Sequence, residues 1–332
     1  MKKFLIPIVL MLALVVSACG NNAANTGSGA ADSSGNAAND GAPAANEPAA
    51  DAAANASAGD AAAGTITYQS ETGPVEVPAN PRRIVGLTNA PNVISLGGKL
   101  VGVDEWTNKN PLFTEKLKGV EVVSEEDLEK IIELEPDLII AGTGVKNLDK
   151  LNEIAPTVVY TWGKLDYLAQ QLEIGKLLNK EREAQAWVDD FKQRAEAAGK
   201  EIKAKIGENA TVSVFETDSK DFYVFGNNWA RGTELLYQAM GLAMPEKVKQ
   251  DALGPGYYTL SPEVLPQYAG DYIVLSRSSA GDNAMMKTAT WNDIPAVKNK
   301  HVIEIDTEAA TYSDPTTLEY LLKIFEEGFL GK

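Results

Sequence analysis

The chain has one cysteine and one histidine in 332 residues. A single thiol builds neither a disulfide framework nor a thiolate zinc site, and a single imidazole rules out the multi-histidine sites that hold zinc, copper or iron. Positive charge is scarce as well: 30 Lys plus Arg face 46 Asp plus Glu, a formal net charge of −16. Nucleic-acid affinity rests on cationic neutralisation of phosphates, so DNA and RNA are excluded as partners. A GxSxG nucleophile elbow and a Walker phosphate loop are missing too. Gly142-Thr143-Gly144 follows an expected strand but lacks the third glycine of a dinucleotide fingerprint. His301 opens a strand without identifiable triad partners, and no carboxylate pair has a spacing that distinguishes a glycosidase. Nothing in the sequence supports an enzyme.

The scarcity is uneven along the chain. Residues 20–64 hold 19 Ala, 7 Gly and 7 Asn, and contain no Lys, Arg, Leu, Ile, Val, Met or aromatic residue. So little apolar surface cannot offset the entropy of ordering, and a disordered Ala/Gly/Asn-rich tether is expected there. Ahead of it, residues 1–19 carry Lys2 and Lys3, an apolar stretch from Phe4 to Val16 and the small pair Ser17-Ala18, the three parts of an export signal. The stretch falls short of the roughly 20 apolar residues that span a bilayer. Val16-Ser17-Ala18-Cys19 resembles the lipobox of bacterial lipoproteins, in which cleavage leaves the cysteine as a lipidated first residue. That resemblance implies an extracytoplasmic protein held at the bacterial cell membrane by a lipid on Cys19.

Residues 65–332 keep a net charge of −13 and are long enough for one large or two ordinary globular units. A hairpin-like start over residues 66–78 precedes short apolar runs that alternate with helical stretches. Strands are expected at Ile84–Leu87, Leu100–Val103, Val120–Val123, Leu138–Ala141 and Thr157–Tyr160, with helices such as Asn92–Leu96 and Leu128–Leu134 between them. This alternation predicts an α/β lobe over residues 65–165 with a mainly parallel sheet. No proline occurs between Pro156 and Pro245, and apolar residues there recur at three- and four-residue steps. The spacing predicts a shorter helix over Tyr167–Leu178, a break near Asn179 and a long helix over Lys180–Ile206, within a backbone segment spanning 166–207. Trp187 falls on the apolar stripe of the long helix. Alternation then resumes over 208–332, with strands near Val212–Glu216, Phe222–Phe225, Tyr272–Ser276 and Val302–Ile305. Two Rossmann-like α/β lobes joined by one stiff backbone helix enclose a cleft and have limited freedom to close.

A weak internal echo supports duplication. Glu129 stands eight residues before Asp137, and Glu263 eight residues before Asp271; each aspartate opens a strand and each glutamate falls in the first turn of a helix. Helix capping accounts for such glutamates by itself, because a carboxylate complements the positive end of the helix dipole.

Several segments carry a family likeness: Asn80-Pro81-Arg82-Arg83-Ile84-Val85-Gly86-Leu87, Asp127-Leu128-Glu129 through Pro136-Asp137-Leu138, the long helix, and Trp291 through Ile303. Together they resemble the substrate-binding proteins of ABC importers for ferric siderophores and cobalamin, over nearly all of residues 65–332. Tyr223 through Gly232, Glu234 through Gly241 and Tyr312-Ser313-Asp314-Pro315 are similar to the hydroxamate siderophore receptors of Gram-positive bacteria. The resemblance implies capture of a ferric hydroxamate siderophore and its delivery to a membrane permease driven by an ATPase. It gives Glu129 and Glu263 the role of docking the two permease subunits, one carboxylate per lobe, and makes Tyr223, Trp229 and Arg231 ligand contacts. A ferric trihydroxamate is nearly neutral overall, yet its oxygens suit a guanidinium and its arms suit aromatic faces. The iron arrives fully coordinated, so no cofactor, direct metal ligand or catalytic residue is expected, and a monomer suffices.

Trp162, after the last strand of the first lobe, and Tyr312 are further candidates for ligand contact, with local packing as the other reading. Trp291 is expected to anchor a helix, and Trp106 is unassigned. Thr311 stands where hydroxamate receptors often carry an aromatic residue. Ferric citrate, a catecholate siderophore, haem or cobalamin are alternative cargoes on the same fold, and an adhesive surface lipoprotein is the reading of a different class.

Overall fold

The computed structural model describes residues 64–217, 221–278, 281 and 284–332. The export signal, Cys19 and the tether through residue 63 lie outside the described residues.

The chain enters through an antiparallel hairpin of β1 (Thr65–Ser70) and β2 (Gly73–Pro78), with Ser70 facing Gly73 across a two-residue turn. The first lobe then runs β3 (Ile84–Gly86), α1 (Ala90–Ser95), β4 (Leu100–Val103), α2 (Glu105–Lys109), β5 (Glu121–Val122), α3 (Leu128–Glu133), β6 (Leu138–Gly142), α4 (Leu148–Ile154) and β7 (Thr157–Tyr160). Its five strands are all parallel, in the order β5-β4-β3-β6-β7. The central strands are buried on both faces, which is why they read as unbroken apolar runs. One face packs Ile84, Leu138, Ile140 and Val158 against the hairpin residues Tyr68 and Val77. The other packs Val85 and Ile139 against Ile131 and Leu151.

Asp166 starts α5 (Tyr167–Leu177) by accepting the N–H groups of Leu168 and Ala169. Asn179, in the left-handed conformation at φ 56°, makes the expected break before α6 (Glu181–Ile206). With 26 residues, α6 is about 39 Å long. Ala184, Val188, Phe191, Ala195, Ala198 and Ile202 form its buried stripe. Trp187 stacks on Phe191 at 4.8 Å and donates its indole N–H to Glu319.

The second lobe comprises β8 (Val212–Thr217), β9 (Phe222–Phe225), a π-helical turn at Glu234–Ala239, α7 (Glu246–Ala252), β10 (Tyr257–Leu260), a 3₁₀ turn at Pro262–Val264, α8 (Leu265–Tyr268), β11 (Tyr272–Arg277), α9 (Ala289–Asn292), α10 (Pro295–Lys298), β12 (Val302–Asp306) and α11 (Pro315–Leu330). Its sheet order, β10-β9-β8-β11-β12, repeats that of the first lobe position by position. The difference is direction: β8, β11 and β12 are parallel, whereas β9 is antiparallel to both neighbours. Trp291 is buried in this lobe's core, and His301 stacks on Tyr272 at 4.2 Å as a packing residue.

The echo of Asp137 and Asp271 has a shared structural cause. Asp137 accepts the N–H groups of Arg82 and Arg83, which lead into β3, and Asp271 accepts the N–H of Thr211, which leads into β8. In each lobe an aspartate at the start of one central strand pins the start of its parallel neighbour. Finally, α11 lies along α6, where Glu319 takes a forked pair of hydrogen bonds from Arg194. Among the described residues, no helix is long and apolar enough to cross a membrane.

Candidate functional site

A cavity of about 1170 Å³ lies between the lobes. The first lobe contributes the segments that follow the carboxyl ends of β3, β6 and β7, the usual place for ligand contacts in an open α/β sheet. The second lobe contributes residues 227–231 beyond β9, Glu234 and Gln238 of the π turn, and residues 311–314 beyond β12.

Trp162 sits on the corner of a tight turn: Lys164 N–H donates to the Thr161 carbonyl at 3.2 Å, and Gly163 takes φ 75°, a position that favours glycine. The indole is 74% exposed at the cleft and meets Trp229 edge-on at 4.9 Å, an aromatic contact from one lobe to the other. Trp229 is seated from behind. A Cβ on Gly256 would lie 2.3 Å from its ring, so only glycine lets the chain pass there, and Tyr257 covers the flank at 5.0 Å.

After Trp229 the backbone makes three consecutive left-handed residues, Ala230, Arg231 and Gly232, at φ 56°, 53° and 79°. For the two non-glycine residues this costs roughly 1–2 kcal/mol each. Fixed acceptors hold the turn: Thr233 Oγ1 takes the Trp229 N–H at 2.9 Å, Glu234 takes the Ala230 N–H at 3.1 Å, and Ala310 O takes the Arg231 N–H at 2.9 Å. The result aims Arg231 at the cleft with its guanidinium already engaged. Its Nε and Nη2 donate to Glu216 at 2.8 and 3.2 Å, over the ring of Phe225. Glu216 also accepts from the Ser276 hydroxyl.

Glu234 opens the Glu234–Gly241 segment and carries no role evident from the sequence. Its carboxyl is buried, and burial raises its proton affinity more than the hydrogen bonds from Ala230 N–H, Ser313 and Thr233 lower it. Asp314 is likewise buried at the start of α11, with its proton affinity raised by burial while it accepts from Thr316 and Thr317. Glu216 and Glu234 become visible as site residues only once the strands and the turn are assembled.

The other expected residues divide. Tyr312 lines the cleft and joins the lobes: its hydroxyl is 3.0 Å from Thr107 Oγ1, its ring packs near Phe113, and burial raises its proton affinity. Trp106, unassigned from sequence, also lines the cleft and is 73% exposed. Tyr223 does not line it. It lies on β9 with its ring 6.0 Å from that of Tyr257, which itself lies 5.0 Å from Trp229. Glu129 and Glu263 are both exposed, beyond the carboxyl ends of β5 and β10, which hold the same edge position in the two sheets. The Glu263 carboxyl is held below its ordinary range by its own backbone N–H and the Ser261 hydroxyl.

Fold and cleft define a two-lobed ligand-binding protein built around a backbone helix. Residues 88–309 match the family model described as "Periplasmic binding protein", and the chain belongs to that family. It is 34% identical over 326 residues to the iron(3+)-hydroxamate-binding protein FhuD of Bacillus subtilis, covering 96% of this chain and 94% of that one. It is 29% identical over 280 residues to the probable siderophore-binding lipoprotein YfiY of the same organism, covering 76% of this chain and 84% of YfiY. The structure of FhuD2 from Staphylococcus aureus with bound ferrioxamine B superimposes with a TM-score of 0.72 at 35% identity, covering 76% of this chain and 99% of that one.

Proposed function

We propose that this protein is the substrate-binding component of an ABC iron importer, that it takes up ferric hydroxamate siderophores between its lobes, and that it hands them to a two-subunit permease. The observation that carries the choice of cargo is the charge of the lining. Among the described residues that line the cleft, Arg231 is the one cationic side chain, and Glu216 already matches it. Asp166, Glu234 and Asp314 are the acidic ones. A highly anionic catecholate complex would meet carboxylates and no free cation there, at a like-charge cost. A near-neutral trihydroxamate meets indole and phenol faces for its arms and a guanidinium for its oxygens. FhuD and the ferrioxamine-bound FhuD2, the relatives named above, are hydroxamate binders by name or by ligand, which supports the same choice.

Lys2, Lys3 and the Val16-Ser17-Ala18-Cys19 sequence support a lipid anchor on Cys19 and an extracytoplasmic site of action, and YfiY is named as a lipoprotein. Glu129 and Glu263 are the docking residues of this reading. Calorimetric titration with ferrioxamine B, ferrichrome, ferric enterobactin and haemin tests the cargo. Saturable binding of the two hydroxamates with no measurable binding of the others is expected; failure of both hydroxamates to bind ends the reading.

A further inference from the structure

The hairpin β1–β2 lies outside the residues matched to the family, yet its turn reaches the cleft wall. Glu71, the first residue of that turn, accepts the Thr161 hydroxyl at 2.6 Å and pairs with Lys164 Nζ at 3.2 Å. Thr161 and Lys164 are the two ends of the turn whose corner is Trp162. One carboxylate therefore ties both flanks of an indole that is otherwise exposed. The Glu71 side chain is 15% exposed and that of Lys164 55%, so solvent screens the ion pair and the 2.6 Å bond from Thr161 is the firmer half of the tie. The hairpin is itself a fixed support: Tyr68 and Val77 are buried in the first lobe's core, and the Tyr68 hydroxyl is 2.9 Å from that of Tyr160 and donates to Glu173.

We infer that Glu71 is a positioning residue of the ligand cleft, holding the Trp162 turn in its ligand-ready geometry before the cargo arrives. This rests on the reading of Trp162 as a ligand contact. The physical reason is preorganisation. An exposed indole on an unbraced turn loses turn and side-chain freedom when a ligand packs on it, and that loss is subtracted from affinity. A turn already tied at both ends has lost it beforehand.

The test is a double-mutant cycle in the full-length protein, read by calorimetric titration with ferrioxamine B. Trp162→Leu should weaken binding about two- to tenfold, the range of an aromatic contact. Glu71→Ala should weaken it by a comparable factor, Glu71→Gln, which still accepts from Thr161, should recover most of the loss, and Glu71→Ala should add nothing in the Trp162→Leu background. If Trp162→Leu leaves affinity unchanged, the ligand-contact reading of Trp162 falls and the inference falls with it. If Trp162→Leu weakens binding while Glu71→Ala does not, or if Glu71→Ala weakens binding equally in both backgrounds, the inference alone is overturned. Should Glu71→Ala not fold, Thr161→Val removes the donor from the other side of the tie, and its loss must likewise vanish in the Trp162→Leu background.

Discussion

In the proposed function cargo selection turns on Arg231, and its pairing with Glu216 decides what it would select. Because two of its donors are spent on Glu216, it offers the ligand directed hydrogen bonding with little net charge. Arg231→Ala is expected to weaken ferrioxamine B binding roughly 10- to 100-fold, the worth of a hydrogen bond to a charged group, and to leave Glu216 without its partner. Glu216→Gln frees the positive charge, and competition titrations should then show the preference moving toward anionic complexes such as ferric citrate. Glu234 makes a different prediction. Its proton affinity is raised in the folded protein, so its contribution to stability is full below the unfolded carboxyl range and falls as pH climbs toward its folded value. Glu234→Gln removes that pH-dependent loss. The variant's thermal midpoint should gain on the wild type as pH rises from about 4.5, and the two should converge in acid; a constant difference across that range would contradict the burial argument. Trp229 and Arg231 were legible as a motif. Tyr223 belongs to the same motif, but strand alternation does not reveal that its ring packs beside Tyr257 of the neighbouring strand, outside the residues that line the cleft.

Among the elements, the long helix was predicted almost to the residue because a continuous stripe of apolar side chains must face something along its whole length. Its register depends on one small residue. A Cβ on Gly199 would lie 2.2 Å from the Met240 carbonyl oxygen, a backbone atom beside the π-helical turn that follows the Arg231 segment. Gly199→Ala should therefore destabilise the protein by about 1–3 kcal/mol in chemical denaturation, despite alanine's better helix propensity. A neutral or stabilising result would mean that α6 and the π turn move apart freely. The elements absent from the sequence reading have two explanations. Helix α11 carries every local signal, an Asp314 cap, Pro315 in its first turn and a Gly331 stop, but Tyr312–Pro315 is at once a site motif and a helix start, and the first masks the second. Strand β10 has no such signal: Tyr257, Tyr258 and Thr259 are all exposed on an edge, so no inward and outward alternation marks them.

At the scale of the molecule, the lobes are joined by more than the helix. Tyr312 bonds Thr107, Asn110 reaches the Ala309 carbonyl at 3.5 Å, and Trp162 touches Trp229, so contacts flank the cleft as well as α6. Small-angle scattering profiles with and without ferrioxamine B should accordingly differ little, and a large contraction would show that these contacts break on binding. If the profiles agree, the proposed permease must recognise features present in both states, and the repeated fold supplies them. Glu129 and Glu263 occupy matching positions on the two lobes, both exposed, in a molecule otherwise too acidic for its overall charge to mark one face. Two exposed carboxylates, one on each lobe, define a distance as well as a charge, which is what the proposed two-subunit partner would read. The legible part was the chemical echo; the equal edge placement of β5 and β10 became visible only with both sheets built. Glu129→Ala and Glu263→Ala together should leave ferrioxamine B affinity within about twofold of wild type, since neither residue lines the cleft, while siderophore uptake by cells carrying the matching permease should drop by more than in either single variant. Unchanged uptake in the double variant would remove both glutamates from the docking surface.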